Sequence, residues 1–168
     1  MANTVATDIA LKILALEKLA NDLGTTKELH TWPSVTAWHI PNGTSASQCD
    51  QVWTDQRTLT ATSETLDLTG SLTSRINGQS LALVEVCIIG IYNTSTTSTN
   101  LLKIGGGSNV VPIFDNSTDI ITCGPSSPFL WANIVDGVTV TAATGDLLKI
   151  DAGAFTITYD VILIGRSA

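Results

Sequence analysis

The stretch LLKIGGGSNVVP, Leu101 to Pro112, places three consecutive glycines behind a strand-like run. Glycines in that position let backbone N–H groups close on a phosphate, as nucleotide-binding loops do. Such a loop also needs a lysine after its last glycine and a helix whose N-terminus faces the phosphate. Here Ser108, Asn109, Val110 and Val111 follow, and then Pro112. β-Branched residues and a proline start a helix badly, so the pattern predicts a turn whose glycines take positive φ angles.

The other groups capable of chemistry are few. His30 and His39 are the two histidines. Serines and aspartates could complete a triad on paper, but no G-x-S-x-G elbow is present, and His39 beside Trp38 reads as a packed or surface residue. Asp115 and Asp119 flank Asn-Ser-Thr in FDNSTD. Their oxygens suit a calcium ion, yet the glycine and distal glutamate of an EF-hand loop are missing, and the same residue types close turns on their own backbone. Asp146 and Asp151 bracket a strand-like segment and read as turn residues. Cys49, Cys87 and Cys123 form no C-x-x-C pair, which argues against zinc and redox motifs. Cys87, inside an aliphatic run, reads as a small buried hydrophobe. The N-x-S/T matches at Asn42, Asn93 and Asn116 follow from an Asn/Ser/Thr-rich composition. The expectation is a protein with no catalytic residues, no metal and no cofactor, and not an enzyme.

Composition points the same way. The 168 residues are 43% hydrophobic but only 14% charged, with a net charge of −7. Threonine and serine replace the missing charges, which suits half-exposed sheet surfaces. The 8 basic residues are scattered, which speaks against nucleic acid as a partner. Apolar runs such as LALV and VILIG are too short for a membrane helix. The first twenty residues lack a basic n-region and carry Asp8 and Glu17, so they are not expected to be a signal peptide; synthesis in a cytoplasm is the plain reading.

Positioning elements follow from periodicity. Ile9, Ile13, Leu16, Ala20 and Leu23 step by fours and threes, which predicts a helix over residues 8–23, capped by Thr7 or Asp8 and ended by Gly24. Its apolar surface would have to dock on its own domain, a sister subunit or a partner. Residues 25–50 read as a connector containing one short strand, VTAWHI. From residue 51 onward the pattern is all β, with RTLTAT, ETLDLTG, a long run at 81–93, TNLLKIG, FLWANIVD, VTVTAA, DLLKID and FTITYDVILIG separated by turn signals. The expectation is thus an N-terminal helix and connector arm (1–48) ahead of a β domain (49–168). About eight antiparallel strands argue for a sandwich, jelly roll or barrel. Ile9, Ile13, Leu16 and Leu23, with Trp32, Trp38 and Trp53, are the expected interface anchors.

The blocks CDQVWTDQRTLTATSETLDLTGSLT (49–73), IGGGSN (104–109), PFLWANIVDGVTVTAATGDLLKIDAG (128–153) and TYDVILIGRSA at the end resemble a family of tailed-bacteriophage jelly-roll structural proteins that includes capsid decoration, or cement, proteins. Asp50, Trp53, Asp55, Arg57, Thr58 and Leu59, then Glu64, Leu66, Asp67, Leu68, Gly70 and Leu72, carry the likeness. The resemblance implies a virion protein on the capsid surface, made in the host cytoplasm. It implies a homotrimer that binds the major capsid protein and clamps capsomer junctions, with no contact to nucleic acid or membrane. A fibre module binding host-surface glycan, and more weakly a depolymerase using His39 or Asp115, are the alternatives.

Overall fold

The computed structural model describes residues 5, 7–10, 13–21, 24–32, 37–73, 78 and 80–167. No helix occurs among them. Two antiparallel sheets form the body. The larger runs in the order β12 (Ser127–Ala132), β9 (Glu85–Asn93), β15 (Thr156–Arg166), β5 (Gln51–Thr60), and β13 (Val138–Thr139) adds to β9. The smaller runs β11 (Ile120–Cys123), β10 (Leu102–Gly105), β14 (Leu147–Asp151), β6 (Ser63–Asp67). Among the described residues there are also three two-stranded pieces: β1 (Thr7–Ala10) with β4 (Ala37–Ile40), β2 (Ile13–Asn21) with β3 (Gly24–Trp32), and β7 (Leu72–Thr73) with β8 (Ser80–Leu81).

The two large sheets face each other across one core. Ile89, Ile91, Ile157, Tyr159, Val161 and Leu163 enter it from the larger sheet; Leu66, Leu102, Ile104, Leu148 and Ile150 enter from the smaller. Alternation along each strand delivers these residues to one side, and each fully buried aliphatic side chain contributes about 2 kcal/mol. The chain passes from one sheet to the other between β5 and β6, where Ala61 takes φ 49°.

The helix expected over 8–23 is not formed. Residues 7–10 pair with β4, and residues 13–21 pair along their whole length with 24–32, Asn21 standing opposite Gly24. Gly24, read as a helix terminator, opens the second strand of a hairpin. Asn, Asp and Gly serve tight hairpins as well as they serve helix ends, and nine residues of GTTKELHTW supply nine ladder partners that outweigh local helix propensity. The connector read over 25–50 therefore begins as a strand, while the short strand read in VTAWHI is present as β4. Leu23 lies outside the described residues.

The glycine loop is the turn its sequence suggests. Gly105, Gly106 and Gly107 have φ of 99°, 73° and 121°. The loop folds onto FDNSTD, with Gly107 N–H donating to the Ser117 carbonyl at 2.9 Å.

A second cluster lies on the outer side of the larger sheet. Ile40 and Cys49 pack there on Cys87, Ile88 and Ile164, with Ile9, Val52, Ile134 and Ile162 around them. A bulge makes this possible: Ile164 pairs with Ile88, but Gly165 pairs with Val86, so Cys87 is the extra residue on β9. Gly165 is required at the bulge, because a Cβ there would lie 2.2 Å from the Glu85 carbonyl oxygen. Gly165→Ala is expected to destabilise the fold by about 1–3 kcal/mol, read as a lower urea midpoint with an unchanged slope. An unchanged midpoint would mean that β9 and β15 can separate at the bulge without cost.

Candidate functional site

The outward side of the larger sheet changes character along its length. At one end Thr58 and Thr158 hydrogen-bond each other across β5 and β15 at 2.8 Å, and Gln56 Nε2 donates to Asp160 Oδ1 at 2.8 Å. At the other end the second cluster is covered by Ile9 and Ile40. Between them the surface is apolar and open. Leu130 on β12 is 45% exposed and Tyr92 on β9 41% exposed. Gly90 supplies no side chain, and Ile162 Cγ2 lies 2.7 Å from where a Cβ would stand.

Two hollows result. One, of about 570 Å³, is lined by Tyr92, Leu130, Ile162 and Phe129 with Gln56 and Asp160 at its polar side. The other, of about 730 Å³, is lined by Ile9, Trp38, Ile134 and Val135. Leu130 lines both, so they adjoin along the outer face, one toward the polar end and the other toward the arm. An apolar trough with a polar margin and an aromatic ring is suited to binding.

Of the anticipated anchors, Ile9 and Trp38 stand in this groove, on neighbouring strands in mutual register. Ile13 and Trp32 are register partners at the open end of the β2–β3 hairpin, and Leu16 is opposite Leu29. Trp53 is not a surface anchor: it is 4% exposed in the core, and its indole N–H donates to the Thr73 carbonyl at 3.2 Å. An indole that satisfies its single donor internally can be buried whole. Tyr92, Leu130 and Ile162 were missed as site residues. Ile162 and Tyr92 lie in the apolar runs VILIG and IIGIY, where alternation does not distinguish inner from outer.

The remaining polar groups are used structurally. His39 Nδ1 lies 2.8 Å from Asp8 Oδ1 across β1 and β4, with both side chains mostly exposed. Asp119 accepts the Asn116 N–H at 2.9 Å, closing the FDNSTD turn on itself, and Asp151 accepts the Gly153 N–H at 2.7 Å. Among the described residues no group of three or more His, Cys, Asp or Glu is arranged to hold a metal ion. At the β5 edge, Glu64 accepts Arg57 Nε at 2.6 Å and the Tyr159 hydroxyl at 2.7 Å, and Asp55 Oδ2 lies 3.0 Å from Arg57 Nη1. Both carboxylates are committed to one guanidinium, which is a brace rather than an acid/base pair.

Behind the groove sits a buried polar cluster. Arg166 is 4% exposed; its Nη1 donates to the Ser45 carbonyl and its Nη2 to the Val135 carbonyl, both at 3.1 Å. Its Nε lies 3.0 Å from Glu85 Oε2 without the alignment of a hydrogen bond, so charge holds that pair. The interaction with Cys49 draws the Cys87 thiol below its ordinary value, with Arg166 adding to the effect against burial. The same interaction, and burial, push Cys49 upward.

No family model, no curated protein and no solved structure matches this chain.

Burial, and then the bond to Glu64, raise the Tyr159 phenol well above its ordinary 10.0. A group raised on folding stabilises fully below its unfolded value and loses that contribution as pH rises. Unfolding followed by urea is therefore expected to show stability falling above about pH 10. Tyr159→Phe should cost about 1–2 kcal/mol at pH 7 and flatten that alkaline slope. An identical slope in Tyr159→Phe would assign the alkaline loss to other groups.

Proposed function

We propose that this chain is a non-catalytic structural protein of a tailed-phage virion, a jelly roll that binds the outer capsid surface as an oligomer and clamps capsomer junctions. The major capsid protein is its partner, and neither nucleic acid nor membrane is contacted. The strand order favours the jelly roll. Counting the eight long strands of the body in sequence (β5, β6, β9, β10, β11, β12, β14, β15), the first pairs with the eighth, the second with the seventh, the third with the sixth and the fourth with the fifth. A long ribbon folded in half and wrapped into two sheets gives those pairings.

The observation that carries the functional reading is the open apolar groove on the larger sheet, half covered by the chain's own N-terminal strands. A groove of that kind suits a protein surface, and repeating it around an oligomer lets weak contacts sum. Capsids prepared without the protein should lose DNA at a lower temperature and regain stability on its addition. Leu130→Glu should bind at least about tenfold more weakly, since a charge in an apolar contact costs more than 1.4 kcal/mol. Bare capsids as heat-resistant as decorated ones would sink the cement role.

One feature of the groove favours glycan binding as a second reading. Tyr92, itself exposed, lines the groove together with Gln56 and Asp160, an aromatic ring, an amide and a carboxylate of the kinds that stack on a sugar and bond its hydroxyls. Host-envelope glycan retained by the wild type and lost in Tyr92→Ala would favour it over the capsid reading.

A further inference from the structure

Cys49 and Cys87 are distant in sequence and meet on the outer face of the larger sheet. Cys49 ends the loop after β4, where its N–H donates to the Pro41 carbonyl at 3.1 Å and its carbonyl accepts the Gly43 N–H at 3.3 Å. Cys87 is the extra residue of the β9 bulge. A regular strand sends successive side chains to opposite faces. The bulge instead places Cys87 and Ile88 together in the outer cluster, beside Cys49. Both thiols are free and buried. Cys87 Sγ and Arg166 Nη2 lie against the same side of Gly137, 3.3 and 3.1 Å from where its Cβ would stand. Arg166 is 4% exposed, and its Nε has no aligned acceptor although Glu85 Oε2 lies 3.0 Å away. A buried guanidinium favours the thiolate form of a cysteine beside it. The opposite shifts of the two thiols agree with this layout: Cys87 is drawn toward the thiolate, and Cys49 keeps its proton.

We propose that Cys49 and Cys87 are a redox pair, oxidised by a peroxide to a disulfide that staples the loop after β4 to the bulge of β9. The Cys87 thiolate attacks one peroxide oxygen. The O–O bond breaks, Cys87 becomes a sulfenic acid and hydroxide leaves. The Cys49 sulfur then attacks the Cys87 sulfur. The S–S bond forms, the S–O bond breaks, and the Cys49 proton leaves with the hydroxyl group as water. Two electrons pass from the thiols to the peroxide, an oxidant small enough for a buried site. The loop continues from β4, and β4 pairs with β1, so the link fixes the root of the arm. Glutathione and thioredoxin keep thiols reduced in a cytoplasm, and the staple closes outside such a compartment. The proposal stands apart from the virion reading.

Counting free thiols on the full-length chain tests it. The chain is purified reduced, treated with hydrogen peroxide while folded, then denatured in maleimide. Before oxidation it should take three maleimides, one for each cysteine. After oxidation it should take one, on Cys123, and dithiothreitol should restore three. A peptide map should join the segments that hold Cys49 and Cys87, and the urea midpoint should rise on oxidation. Cys49→Ala should strand Cys87 as a sulfenic acid that dimedone traps. Cys123→Ala, which removes a thiol the pair does not use, should go from two maleimides to none. Two or three maleimides on the oxidised wild type, a link through Cys123 or between two chains, a midpoint that does not rise, or no dimedone adduct on Cys87 in Cys49→Ala would each overturn the proposal.

Discussion

Beyond Asp160 the outer side of β15 and its partner β9 turns apolar, with Ile88, Ile162 and Ile164, and much of the molecule follows from that. In a two-sheet sandwich the outward residues normally meet water. Here Ile157, Tyr159, Val161 and Leu163 of β15 face the core, while Ile164 on the other side is 4% exposed beneath Ile40 and Cys49. Water cannot cover both sides of these strands without a large loss of burial. The β1–β4 pair lies on the outer face for that reason. Bulged Cys87 adds a further apolar contact to the same cluster, and Gly165 allows the backbones to close beside it.

The cover is pinned by polar contacts that leave little freedom at its roots. Asn42 Oδ1 accepts the Val5 N–H at 2.7 Å. Arg166 ties the loops around Ser45 and Val135 to the end of β15 through two carbonyls. A buried guanidinium is costly unless paired and bonded; Glu85 and those carbonyls meet the condition. At the opposite end of the body, Asn93 plays the uncharged counterpart. Its amide donates to the carbonyls of Asn100 and Cys123 and accepts the Ser95 N–H, so a fully buried side chain holds the loop after β9.

How much of this the sequence discloses depends on the kind of signal. The β character from residue 51 onward is legible because alternation and turn residues are local. The glycine loop is legible because Val110, Val111 and Pro112 forbid the helix a phosphate site would need. The arm is not legible: Ile9, Ile13 and Leu16 fit a helical seam, and only the distant partner strand from Gly24 decides against it. β11 was missed, since IITC is a short edge strand whose Ile120 and Ile121 are exposed, at 52% and 41%. The groove was missed because the apolar runs within β9 and β15 do not reveal which side is covered. Trp53 shows the converse limit: it is close in sequence to Trp38, yet Trp53 is buried with its indole N–H on the Thr73 carbonyl while Trp38 lines the groove.

Partial cover has an energetic consequence for association. The arm enters along β1 and leaves along β4, and both strands are already packed on the body at Ile9 and Ile40. The segment between them is therefore held at both ends, and its hairpin hydrogen-bonds to no other described strand. A tethered ribbon with its ladder already formed gives up much less conformational freedom on meeting a partner than a free tail would. The open groove at Leu130 begins where the arm's cover stops, so a partner seated there extends an apolar contact the chain has already begun. The body is thus finished on its inner side, while on its outer side the apolar surface at Leu130 stays open beside the arm.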